Sequence, residues 1–266
     1  MSLGDKRLRA VVTGACSGIG LATAQGLARR GWDLVLASNR EGPLEEAARA
    51  IRERHGVDVE AVALDLAEPA SAEALYARAT AGGAVDALVS NAGVFFFGEV
   101  ADADPLRATR MLNLHVVVPS LLCTHFARDF RARRRGRVML VSSISAWRDL
   151  PGIAYYASSK KYLRGFARAL RSELGVYGVT VTCLSPGATA TSLYDATGVP
   201  VALATRLGVM MPPERVAEAG VEAMLRGDAE CVPGAMNRAV TAGVGLVPQG
   251  AIDLLRRYSP WLRPRL

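Results

Sequence analysis

Thr13-Gly14-Ala15-Cys16-Ser17-Gly18-Ile19-Gly20 follows the apolar run Ala10-Val11-Val12 and opens a helix-length segment. A glycine-rich turn between a strand and a helix lets backbone amides surround a pyrophosphate at the positive helix pole, with glycine wherever a Cβ would block the approach. A glycine triplet in isolation decides little. This one stands where the first βα unit of a nucleotide-binding sheet would place it. Its spacing, with three residues between Gly14 and Gly18, departs from the commoner dinucleotide fingerprint, which has one.

Outward from this turn, short apolar runs alternate with helix-length amphipathic segments. Strands are expected at Ala10–Val12, Leu34–Leu36, Val59–Leu64, Ala87–Val89, Val138–Val141 and Val179–Leu184. Their near-continuous apolar character suits strands buried on both faces. Helices are expected over 19–30, 41–54, 70–81, 105–134, 155–175 and 213–226. Each parallel link needs a crossover, so this alternation predicts an α/β fold: a Rossmann-like, doubly wound parallel sheet of six to seven strands with helices on both faces. No linker or repeat interrupts it, and residues 1–266 read as one domain, with a substrate loop or lid at 188–212 and a helical C-terminal extension at 235–266.

Composition narrows the function classes. Half of the residues are apolar and 21% charged, ample for a large core and contrary to disorder. The net charge is +7, yet all but Lys6, Lys160 and Lys161 of the 32 basic residues are arginines spread along the whole chain. Together with an aromatic content of 6%, that dispersion argues against a nucleic-acid-binding stripe. The densest run, Arg131 to Arg137, precedes a strand and reads as a helix end favoured by the dipole. Cys16, Cys123, Cys183 and Cys231 form no metal-spaced pair and read as reduced thiols of a cytoplasmic protein. The first thirty residues lack signal-peptide zones, and no apolar stretch reaches membrane-spanning length.

The glycine spacing, preceded by Thr13, resembles the short-chain dehydrogenase/reductase family, and the resemblance runs on as far as Gly234. Asp65, with Leu66 beside it, matches the acid that holds the adenine amino group. Asn91-Ala92-Gly93 matches the family's turn after strand four, although Ser90 replaces a frequent asparagine. Asn113, Ser143, Tyr156 and Lys160 match the catalytic tetrad. Pro186-Gly187 with Thr189 and Thr191 matches the loop that contacts nicotinamide and diphosphate, Thr191 being favoured by its interval from Pro186. The resemblance implies an oxidoreductase in which Asn113 keeps a water in a proton relay behind Lys160, and a homodimer or homotetramer paired through long helices. Leu112, Val116, Leu121, Leu163, Phe166 and Leu170 are candidates for that contact or for the internal core.

The chemistry also follows from residue types. Reducing a ketone requires a proton at the oxygen as hydride reaches the carbon. Tyrosine, with a reference pKa of about 10, is a poor base alone. Lys160, four residues on and one helical turn away, supplies a charge that favours the phenolate and lowers that pKa. Tyr156 is therefore the expected general acid/base, Ser143 the hydrogen-bond donor to the substrate oxygen, and Lys160 also the holder of the nicotinamide ribose. A Tyr-Lys pair alone is usually an exposed helical face; the serine thirteen residues before Tyr156 and the glycine loop upstream reverse that reading. Tyr155 and Lys161 have other helical phases, Ser142 and Ser145 flank the chosen serine, and His115 and His125 lack a nearby acid and read as structural.

Coenzyme choice turns on the end of strand two. An acid there would bind the ribose hydroxyls of NAD; here stand Ser38-Asn39-Arg40, a hydroxyl and an arginine suited to the extra phosphate of NADP. NADP(H) is the preferred coenzyme and NAD(H) the alternative, since Asn39 and Ser17 occupy positions where NADP enzymes of the family often carry a base. Phe95 and Phe96 with Phe97, and Tyr194 in the later loop, suggest an apolar wall for a hydrophobic ketone, aldehyde or alcohol. The alternatives are a 3-oxoacyl-thioester reductase, which shares these motifs, or a non-catalytic dinucleotide sensor, which would tend to lack Tyr156 or Lys160. Beyond Gly234, Ala251, Leu254, Leu255, Tyr258 and Leu262 make an apolar helical stripe beside Arg256, Arg257, Arg263 and Arg265. Packing against the body or a neighbouring subunit is the first reading of this tail and an anionic membrane the second.

Overall fold

The computed structural model describes residues 7–191, 205, 210–244 and 247–258. Seven strands, β1 (Arg9–Thr13), β2 (Asp33–Ser38), β3 (Val59–Ala63), β4 (Ala87–Ser90), β5 (Gly136–Val141), β6 (Val179–Leu184) and β7 (Glu230–Cys231), form one sheet in the order 3-2-1-4-5-6-7. Every pairing is parallel. The short β7 pairs Cys183 with Glu230 and Leu184 with Cys231, and it was not among the six expected runs.

Helices cover both faces. On one side lie α1 (Gly18–Ala28), α2 (Glu41–His55) and α7 (Pro213–Arg226); on the other α3 (Ser71–Ala81), α5 (Val118–Arg133) and α6 (Ala154–Gly175). Alternate strand residues feed two cores: Val11, Val35, Leu88 and Val138 pack with Phe126 and Phe130, while Val12, Leu34, Val89 and Met139 pack with Leu27, Leu44 and Met224. A period of two with both faces covered explains why the strand sequences run apolar without interruption.

The helix expected over 105–134 is three pieces: α4 (Pro105–Leu112), a π-helical turn Asn113–Val117, and α5. Pro119 has no N–H for the carbonyl of His115 four residues back, and its ring crowds that carbonyl. A widened turn, in which the Val118 N–H donates to the Asn113 carbonyl, absorbs the conflict. The arginine run ends α5 as expected: Arg131 and Arg133 occupy the last turn and Arg134 takes the left-handed cap at φ 52°.

Leu163 and Leu170 lie in the internal core, whereas Leu112, Leu121 and Tyr162 are exposed. Ala188–Thr191 pairs with Met211 through Ala190 N to Met211 O and Met211 N to Ala188 O, both 2.9 Å. Tyr194 and most of the 188–212 loop lie outside the described residues. The C-terminal part carries α8 (Ala235–Val244) and α9 (Gln249–Tyr258); in α9 Ile252 is buried, Leu254 is exposed, and Gln249 reaches the Asp149 carbonyl. Among the described residues no helix is long and apolar enough to cross a membrane.

Candidate active site

The order of strands reverses between β1 and β4, and in open parallel sheets ligands bind beyond the carboxyl ends of the strands at that point. Thr13 and Asn91 lock the two strand ends together. The Thr13 hydroxyl accepts the amides of Asn91 (2.9 Å) and Ala92 (3.0 Å), and the Asn91 Nδ2 donates to the Thr13 carbonyl at 2.9 Å. Gly14 and Gly18 take left-handed backbone, at φ 66° and 54°. A Cβ on Gly20 would stand 2.2 Å from the Gly14 carbonyl and 2.5 Å from Asn91 Nδ2, so the turn closes only with glycine there. Ser17 enters α1 in extended backbone and no side chain caps the first turn, which leaves its amides as donors at the positive pole.

A cleft of about 750 Å³ opens over this turn. All the expected coenzyme contacts except Gly20 border it, together with Phe95, Phe96 and Ser143. Gly20 is instead packed beneath the loop, and Asn113 sits behind the cleft, its Nδ2 donating to the Ala67 carbonyl at 2.9 Å. The adenosine end carries no acid on β2: the Ser38 hydroxyl lies 3.1 Å from the Cys16 thiol and accepts the Arg40 amide at 3.3 Å. Asp65 is engaged by the Ala67 amide at 2.9 Å and by the Arg110 guanidinium, which together hold its carboxyl below the usual range. Among the described residues no cluster of His, Cys, Asp and Glu could hold a metal ion.

At the other end α6 presents Tyr156 and Lys160. Lys160 is buried; its Nζ donates to the Val141 carbonyl at 3.0 Å and stands 5.7 Å from the centre of the Tyr156 ring. Burial lowers its pKa to about 8 from 10.5, so the ammonium persists at neutral pH. Ser142 and Ser143 both border the cleft and are held by different partners. The Ser142 hydroxyl donates to the Lys160 carbonyl at 2.7 Å, and Ser143 accepts the Ser145 amide at 3.2 Å. Phe95 meets Tyr156 edge to face at 4.8 Å; Lys161 pairs with Asp149 at the surface, and His125 stacks on Tyr76.

Several contributors escaped the sequence reading: Arg110 on Asp65, the Ser142 anchor, and Asn237 of α8, whose side chain would meet a Cβ on Gly187 at 2.4 Å. His115 escaped as a site residue too, although its place on the 111-115-118-122-126 stripe marked a polar group on a core-facing surface. The cradle that admits no Cβ, the acid-free end of β2 and the Tyr156–Lys160 end fit a phosphorylated nicotinamide dinucleotide.

A family model described as short chain dehydrogenase matches residues 9–198. A 7beta-hydroxysteroid dehydrogenase of Clostridium sardiniense is 33% identical over 184 residues, 69% of this chain and 70% of the relative. Among solved structures, a short-chain dehydrogenase from Sphingobium yanoikuyae in complex with NADPH superposes with a TM-score of 0.81 at 26% identity, covering 97% of this chain and 100% of the other. A 7beta-hydroxysteroid dehydrogenase structure gives a TM-score of 0.85 at 25% identity over 96% of this chain and 99% of the other.

Proposed function

The chain belongs to the short-chain dehydrogenase family of oxidoreductases, and from that premise we propose that it interconverts a hydrophobic ketone or aldehyde and its alcohol, with NADP(H) preferred over NAD(H). The observation that carries this reading is the buried Lys160 ammonium beside the Tyr156 ring, at the opposite end of the cleft from an acid-free strand terminus. The coenzyme, when bound, supplies or accepts the hydride.

The chain's own residues handle the proton. Lys160 stays charged below about pH 8 and favours the phenolate of Tyr156, making the phenol a better donor to a carbonyl oxygen and the phenolate a usable acceptor in reverse. Ser143 donates to the same oxygen and offsets charge developing there. Ser142 holds the Lys160 backbone, and Val141 the Lys160 side chain, so the ammonium is fixed before substrate arrives. Phe95 and Phe96 offer an apolar wall, in keeping with the hydroxysteroid relatives.

The exposed Leu112, Leu121 and Tyr162 support a homodimer or homotetramer, and four free cysteines suit a reducing, cytoplasmic setting. The test is NADPH absorbance with a panel of hydrophobic ketones and aldehydes beside 3-oxoacyl thioesters. The free ketones should turn over best. Tyr156→Phe should keep NADPH binding and lose roughly a hundredfold or more in kcat; a variant as active as the parent removes Tyr156 from the chemistry.

A further inference from the structure

His115 is fully buried in the π-helical turn, and both of its ring nitrogens are used. The Val94 amide donates to Nε2 at 3.0 Å, so Nε2 is the unprotonated nitrogen and Nδ1 carries the hydrogen. Nδ1 lies 2.9 Å from the Ser159 hydroxyl, which itself donates to the Tyr156 carbonyl at 2.8 Å. Burial, reinforced by the charge of Lys160, keeps the imidazole neutral. Donor and acceptor directions agree along the whole chain of bonds, from Val94 through His115 and Ser159 to Tyr156.

This bridge joins two elements that the reaction requires to be in register. One end is the loop after β4, where Val94 and Phe95 border the cleft. The other is the backbone of Tyr156 itself. The gap is filled without slack: a Cβ on Gly93 would stand 3.0 Å from His115 Nε2 and 3.6 Å from Lys160 Nζ. The imidazole also meets the Tyr156 ring at 5.7 Å and 75°, so it touches the phenol as well as its backbone.

We propose that His115 is a positioning residue: through its two nitrogens it sets the distance between the substrate-facing loop at Val94 and the tyrosine that moves the proton. The inference rests on the reading of Tyr156 as acid and base. A displacement of about an ångström at such a group can cost a hundredfold in rate, so a rigid spacer here has a kinetic consequence. The two arms separate by their chemistry. The Nδ1–Ser159 arm fixes Tyr156 and governs kcat; the Nε2–Val94 arm fixes the wall of the substrate site and governs KM.

Two conservative variants divide these arms. The amide of His115→Asn reaches the position of Nδ1, keeping a donor for Ser159 and losing the acceptor for Val94. The longer amide of His115→Gln places an oxygen near Nε2, keeping the Val94 arm and losing the other. With a hydrophobic ketone and NADPH, Asn should keep kcat within about threefold and raise KM about tenfold; Gln should do the reverse, and His115→Phe should show both defects. NADPH affinity, read by fluorescence quenching, should stay within about threefold of the parent in all three, which separates positioning from general damage. Variants that turn over like the parent, or that lose kcat, KM and NADPH binding together, overturn the inference while leaving the role of Tyr156 intact. A parent protein that binds NADPH yet reduces no carbonyl compound overturns the functional reading, and this inference with it. Should His115→Phe fail to fold, the Asn and Gln pair still decides.

Discussion

On the proposed reading, Arg40 is the side chain expected to discriminate between coenzymes. Its neighbour Ser38 ends β2 with a buried hydroxyl where an acid would repel a phosphate, and Arg40 begins α2 with its guanidinium exposed at the rim of the cleft. A charged hydrogen bond is worth about 1.5–3 kcal/mol, roughly ten- to a hundredfold in affinity. Arg40→Ala should therefore weaken NADPH by about that factor and NADH by less than about threefold. Titration of both coenzymes against parent and variant checks this, and equal losses would leave Arg40 a solvated surface residue. Gly20 belongs to the same scale with the opposite logic, because its contribution is the absence of a Cβ beside Gly14 and Asn91.

Between the helices and the sheet, burial decides. Phe126 on α5 is inaccessible to solvent, packs edge to face on Tyr76 of α3 at 5.1 Å and contacts Phe130 at 6.0 Å. Phe126→Ala should cost about 3–5 kcal/mol in urea unfolding, since close-packed neighbours collapse only partly into the space. A loss below about 1 kcal/mol would mean that this face is loosely packed. The β1–α1 turn was readable from its glycines because that signal is local, whereas the sequence reading of the 105–134 segment singled out Leu112, Val116 and Leu121 and not the stripe that buries Phe126. The π turn at Asn113–Val117 was marked only by Pro119, and the expected single helix over 105–134 overlooked it. Asn237 against Gly187 and Arg110 on Asp65 join residues far apart in sequence, where neither period nor motif operates. At the site, motif spacing brought Ser143, Tyr156 and Lys160 to one cleft, while the bridge through His115 required knowing which face of the broken helix looks inward.

For the molecule as a whole, buried ionisable groups govern how stability varies with pH more than the surface charges do. Ion pairs such as Arg29 and Arg30 with Glu218 tie α1 to α7 but are partly exposed and worth about 0–1 kcal/mol each. Lys160 binds its proton more weakly folded, at about 8, than unfolded, at 10.5. From pH 8 to 10.5 the unfolded chain thus holds the extra proton, and raising pH across that window stabilises the fold. Cys123 and Cys183, buried and raised to about 12 and about 11 from 9.0, act the other way: above pH 9 the unfolded thiols ionise first and stability falls. His115, held well below 6.5, adds an acid limb, because below pH 6.5 the unfolded chain gains a proton that the folded imidazole does not take up. Urea unfolding from pH 5 to 10 should show these slopes as differences between proteins, in which a constant packing offset cancels. The stability of the parent relative to Lys160→Met should climb by about 1.4 kcal/mol per pH unit above pH 8, approaching about 3 kcal/mol in total. Relative to Cys123→Ala it should decline above pH 9 with a similar slope. Parallel curves for the parent and Lys160→Met would mean that the lysine keeps its ordinary proton affinity, and that the charge beside Tyr156 is set by the solvent rather than by the fold.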